Sequence, residues 1–263
     1  MASSDATESM HQTVENLEHA EAHGPLEQFE ITHLVPIDVG GMDFSFTNSA
    51  AAMIAGVALV ILLMLLGTRS KSLVPGRLQS VAELAYEFVA GMVRENVGDK
   101  GRAYFPFIFT LFMFILFANM VGLVPFSFTS TSHIVVTFSM AIFVFVGVTV
   151  IALVKHGFRF FTYFLPSGVP VALAPIIVPI EVISYFVRPI SLSLRLFANM
   201  LAGHIMLKVF AGFVIALGLA AGWLPLAFIV ALTGLEFLIA FLQAYVFTIL
   251  TCLYLHDAIH LEH

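Results

Sequence analysis

"RPISLSLRLFANMLAGHIMLK", residues 188–208, sets two arginines, a histidine and a lysine among apolar side chains. It lies within Ser167 to Trp223, where Glu181, Arg188, Arg195, His204, Lys208 and Tyr185 are the ionisable residues and Pro170, Pro175, Pro179 and Pro189 crowd the first part. A cation at bilayer depth costs about 3 kcal/mol on insertion scales. The segment is either the core of a soluble protein or a membrane segment that uses its charge.

Composition decides between them. The chain of 263 residues is 60% hydrophobic and 11% charged, with a mean hydropathy of +1.00. Uncharged runs cover Phe44 to Thr68, Ala103 to Val154 (with His133 inside) and Val209 to Leu235. Runs of about 18 apolar residues are long enough to cross the hydrocarbon core. A soluble core helix would keep a polar face, and these runs have none. Barrel strands would be short and alternating, and nothing here alternates. The fold class is therefore an all-α polytopic membrane protein.

The formal charge of −6 is partly an end effect, because residues 1–30 are rich in Glu and His. Basic residues are too sparse for a nucleic-acid surface. The single cysteine, Cys252, rules out an internal disulfide. Residues 1–30 lack a basic start and an apolar stretch, so they read as a polar tail rather than a signal peptide. Residues 31–263 read as one membrane domain.

The expected spans are about 48–66, 103–124, 134–154, 170–218 and 225–256. "GTRSKSLVPGR" after the first span and "KHGFR" after the third are basic, which places both on the cytoplasmic side and the N-terminus outside. Between the first two spans, Leu78, Val81, Ala82, Ala85, Phe88, Val89, Met92 and Val93 recur at three- and four-residue steps, with Ser80, Glu83, Glu87 and Arg94 opposite. This is an amphipathic helix over 77–97, lying on the cytoplasmic surface or packed on protein. "GLVPFSFTSTSH" reads as a turn. Ser167 to Trp223 is either two ordinary spans or one overlong helix, and Gly218, Gly222 and Pro225 mark a turn before the last helix.

At about 100° per residue, Ser191 and Asn199 fall within about 40° of Arg195, with Glu181 and Ser184 near that face. His204 lies about 180° away from Arg195. An antiparallel last helix would bring Gln243 opposite Arg195 and Glu236 toward His204. One continuous channel would need a single polar stripe; here two half-length polar sets are offset around the helix and meet at a fixed cation. Glu and His can take and give protons, whereas Arg stays charged. Asn119 reads equally as interhelical glue or as path lining. Arg188 and Lys208 read as snorkelling residues, and Glu181 as a cap as readily as a path residue.

"RPISLSLRLFANMLAGH" with "LEFLIAFLQAYVFTILTCLYL" resembles subunit a of the rotary F-type ATP synthases. The resemblance runs from about residue 31 to the end, and "PLEQFEI" at 25–31 is also similar to the family's start. His at 204 with Glu at 236 resembles the mitochondrial and α-proteobacterial form. The resemblance implies five membrane spans plus a surface helix, the last two helices being long and tilted. It implies a multi-pass protein of the bacterial inner membrane, or alternatively the mitochondrial one. The implied partners are a c-subunit ring, the b subunits of the peripheral stalk and the remaining synthase subunits, together with protons and the lipid bilayer. By this resemblance Arg195 faces the ring carboxylates, and Asn199 and Gln243 flank that contact. His204, Glu236 and Asn119 then line a path to the outside, and Glu181 and Ser184 a path to the inside. No cofactor, metal or catalytic residue is expected, since no Gly-rich phosphate loop with a Lys occurs. Two rivals are a self-contained proton-coupled transporter, which would show an internal repeat, and a non-conducting scaffold. A membrane hydrolase stands further off.

Overall fold

The computed structural model describes residues 32–35, 38–39, 42–43, 45–69, 75–124, 128–164 and 173–260. The expected polar tail, the start of the family resemblance, Lys71 and Pro170 lie outside them. Two short antiparallel backbone pairs, which alternation in the sequence does not announce, come first: His33–Val35 with Phe46–Thr47, and Asp38–Val39 with Met42–Asp43. Among the described residues six α-helices follow: α1 (Asn48–Arg69), α2 (Arg77–Val97), α3 (Phe105–Gly122), α4 (Ile134–His156), α5 (Ala174–Ala221) and α6 (Trp223–Ile259). Five are long and apolar enough to cross a membrane, α2 being the exception.

The helix ends follow local chemistry. Pro106 and Pro175 sit in the first turns of α3 and α5, where their missing N–H groups have no helical partner. Gly98 and Gly157 close α2 and α4 with positive φ. Within Ser167 to Trp223, Ala174–Ala221 forms one overlong helix rather than two spans. α5 is interrupted at Gly218, whose φ of 55° suits a residue without Cβ, and α6 begins at Trp223. The stretch before that break has 45 residues, about 67 Å at ~1.5 Å per residue, more than twice the ~30 Å core.

The core lies where α2, α3, α4 and α5 meet around α6. Val89, Ile108, Phe112, Ile115, Val144, Leu196, Phe247 and Cys252 are among its fully buried members. The apolar face of α2 divides: Ala82, Val89, Met92 and Val93 are buried on the protein, while Leu78 and Val81 point outward. The helix therefore packs on α1, α3 and α6 and still offers an apolar edge.

Candidate functional site

α5 and α6 run antiparallel, and two side-chain contacts fix their register. His204 Nδ1 lies 3.6 Å from Glu236 Oε1. At the other end Arg188 donates to Asp257 Oδ2 at 3.3 Å. Arg195 and Gln243 fall between these contacts.

The two sides of α5 carry different chemistry. Tyr185, Leu192, Ser193, Leu196, Met200 and His204 form its buried side. Ser184, Ser191, Leu194, Arg195, Ala198, Asn199 and Ala202 form an exposed side, with Glu181 half-exposed. The expected opposition of Arg195 and His204 is thus present in the helix. Among the described residues Arg195 makes no hydrogen bond and no ion pair. The alternative of an Arg195–Glu236 pair fails, because Glu236 turns to His204. Glu181 lies two turns inside α5, past any capping position.

His204 and Glu236 are 8% and 7% exposed. Both Glu236 oxygens are buried without a hydrogen-bond partner among the described residues. Burying a carboxyl without full hydrogen bonding is expensive, so an idle structural role would favour its loss. Space for the carboxyl comes from Gly203. A Cβ there would lie 3.2 Å from both Cγ and Cδ of Glu236, and closer still to Oε1. Asn119, fully buried on α3, donates from Nδ2 to the Ala240 carbonyl at 3.2 Å. The interhelical bond is therefore made, and Asn119 Oδ1 is left without a partner among the described residues. Gln243 is 8% exposed, one turn inward from Ala240.

Two groups were not visible as site features in the sequence. The first is the turn between α3 and α4. Thr129, Ser130, Thr131 and Ser132 are all buried, unlike an ordinary surface connection. Thr129 Oγ1 donates to the Gly122 carbonyl at 3.1 Å and meets His204 Nε2 at 2.6 Å. His204 Nε2 also meets the Gly122 carbonyl at 3.0 Å. The following His133 stacks on Phe128, and burial holds its pKa below the ordinary value, so it is neutral near pH 7. Five consecutive hydroxyl and imidazole residues, Thr129 to His133, were the available signal.

The second group corrects the reading of Arg188 as a snorkelling residue. Its guanidinium binds Asp257 and lies 5.5 Å and 5.1 Å from the ring centroids of Tyr185 and Tyr254. Tyr185 in turn bonds Thr149 of α4 at 2.7 Å. The cluster ties α4, α5 and α6 at one end of the helix pair. Planar Arg suits both carboxylate and ring contacts.

With this geometry in place, likeness to known proteins is informative. The ATP synthase A chain family profile matches residues 50–256. The chain is 59% identical to "ATP synthase subunit a" of Paramagnetospirillum magneticum over 90% of its own length and 99% of that protein. It is 61% identical to the protein of the same name from Parvibaculum lavamentivorans, over 91% and 94% of the two chains. With that of Pelagibacter ubique it shares 55% identity, over 92% and 100%.

Proposed function

This chain belongs to the ATP synthase A chain family, and on that footing we propose that it is the proton-conducting stator subunit of a rotary F-type ATP synthase in the bacterial inner membrane. It carries out no ATP chemistry itself; that belongs to the other subunits of the complex. The observation that carries the reading is the division of α5. Arg195 stands on its exposed side, and the His204–Glu236 pair is buried on the other. Such an arrangement suits two offset half-channels that share no continuous polar stripe.

In this reading protons from outside reach Glu236 and His204 past Asn119 and the buried hydroxyl turn. They pass to a carboxylate on a c subunit that travels along the exposed side of α5. Ala198 and Ala202 flank Arg195 there, and small side chains let another helix approach closely. Arg195 favours the ionised carboxylate as it passes, and Asn199 and Gln243 flank that contact. Glu181 and Ser184, on the same side of α5 toward its start, line the route to the inside. The b subunits hold the chain against the rotation of the ring.

Reconstitution tests this. Vesicles holding every subunit except this chain should show no ATP-driven acidification, and adding the chain should restore it. Equal conduction without the chain would make it a scaffold. Proton-coupled uptake by the purified chain alone would make it a self-contained transporter.

A smaller effect is expected at Gly203. Gly203→Ala should displace the Glu236 carboxyl and slow ATP-driven acidification by about tenfold, within the hundredfold that a 1 Å misplacement can reach. An unchanged rate at equal assembly would mean that the carboxyl position is not critical.

A further inference from the structure

The hydrogen bonds around His204 single out which of its nitrogens exchanges a proton. A carbonyl oxygen only accepts, so the 3.0 Å contact between His204 Nε2 and the Gly122 carbonyl requires Nε2–H. Thr129 Oγ1, 2.6 Å from the same nitrogen, must then accept from it. The one hydroxyl proton of Thr129 goes to the Gly122 carbonyl at 3.1 Å. Every donor in this triangle has an acceptor, and no second assignment satisfies all three contacts. The neutral ring is left with its lone pair on Nδ1, which faces Glu236 Oε1 at 3.6 Å.

We propose that Thr129 is a positioning residue that, together with the Gly122 carbonyl, holds His204 as the Nε2–H tautomer, so that Nδ1 is the atom that takes the proton from Glu236. This rests on the reading of His204 and Glu236 as a proton path. The carboxylic proton of Glu236 moves to Nδ1, leaving carboxylate and imidazolium, and the reverse transfer restores both neutral groups. The Nε2 proton does not change hands. The 3.6 Å separation has to close by about half an ångström for transfer, a tightening that proton-transfer sites commonly show during turnover. The opposite tautomer would point an N–H at Glu236 and leave the ring unable to accept from it.

The threonine is itself held. Ser132 Oγ donates to the Thr129 carbonyl at 2.6 Å and the Ser132 N–H does so at 3.2 Å. Gly122 makes the approach possible, since a Cβ at that position would sit 2.6 Å from Thr129 Cγ2 and 2.9 Å from Oγ1. Glu236 of α6 faces His204, and Lys208 lies one turn farther along α5.

The test uses the complete complex in inverted vesicles, with nitrogen-15 spectroscopy of His204 as the direct readout. Wild type and Thr129→Ser should both show neutral His204 protonated on Nε2, with acidification rates within about twofold of each other. Thr129→Val removes one of the two acceptors of Nε2–H and leaves the Gly122 carbonyl as the other, so it should shift His204 partly to the Nδ1–H form and pump about threefold more slowly at equal assembly, a fraction of what a positioned proton-transfer group contributes. Thr129→Ala serves where valine prevents assembly. Nδ1–H in the wild type, a valine variant with unchanged spectrum, or no rescue by serine would each overturn the assignment. Glu236→Gln separates the two levels. If it pumps normally, the proton path itself is wrong. If it is slow and Thr129→Val is not, only the role of Thr129 fails.

Discussion

Arg195→Ala in the assembled complex should abolish ATP-driven acidification of inverted vesicles while passive proton leak, measured after the soluble motor is stripped away, stays at or above the wild-type rate. Both halves follow from placement and charge. Arg195 is exposed on α5 and makes no ion pair among the described residues, so its removal breaks no contact with a charged partner among them. In the proposed function its partner is a carboxylate on a c subunit. An opposite charge within about 4–6 Å lowers a carboxylate pKa by roughly 1–3 units, or about 1.4–4 kcal/mol of preference for the ionised form. Without that preference the carboxylate keeps its proton, and the ring gains no direction from the gradient. Without the fixed charge, protons also have less reason to avoid the short route between the half-channels. Normal pumping would make the arginine structural and end the half-channel account. Lost pumping with lost leak would mean that the arginine helps to carry protons.

The second large effect is expected at the buried pair. His204→Glu and Glu236→His should each slow acidification by about a hundredfold, the lower range for removing a positioned proton-transfer group. Made together, they should recover to within about tenfold of the wild type. Two carboxyls at 3.6 Å repel when both ionise, and two imidazoles repel when both are protonated, whereas the exchanged pair can again share one proton. Recovery should be incomplete for a local reason. A carboxylate at position 204 accepts from the Thr129 hydroxyl, but it faces the Gly122 carbonyl that now receives the His204 N–H. The recovery amounts to a coupling of about 4 kcal/mol at about 1.4 kcal/mol per tenfold, above the roughly 0.5–3 kcal/mol of ordinary contacting pairs, as expected of two groups that share one proton. Losses that simply add would show that the two side chains do not exchange protons with each other.

Much of the architecture was legible because membrane helices announce themselves. Long runs without charge delimit α1, α3 and α4 to within a few residues. The three- and four-residue recurrence of apolar positions gives α2 its bounds of Arg77 and Val97. What periodicity cannot supply is the pairing of distant residues. The expected last span ends at about residue 256, which leaves Asp257 just outside it. The helix runs on to Ile259, with Asp257 paired to Arg188 one helix earlier in the chain. Arg188 looked like a snorkelling residue for the same reason. The turn at Thr129 to Ser132 has the composition of any loop, and only its surroundings show that it is buried. His204 and Glu236 were readable as a candidate pair, because acid and imidazole chemistry and an antiparallel hairpin point the same way.

The position of Arg195 also bears on how the subunit is made. A copy newly inserted in the membrane, before any ring has docked, turns this cation toward hydrocarbon from an exposed helix side. That state is disfavoured by about 3 kcal/mol, close to a hundredfold in population. Orphan copies are driven to tilt, thin the bilayer around them or sink α5 until the charge meets water. In the proposed function, docking of the c-subunit ring removes the penalty. On that reading the chain reaches its working depth only together with the ring, so insertion and assembly are coupled through a single charge.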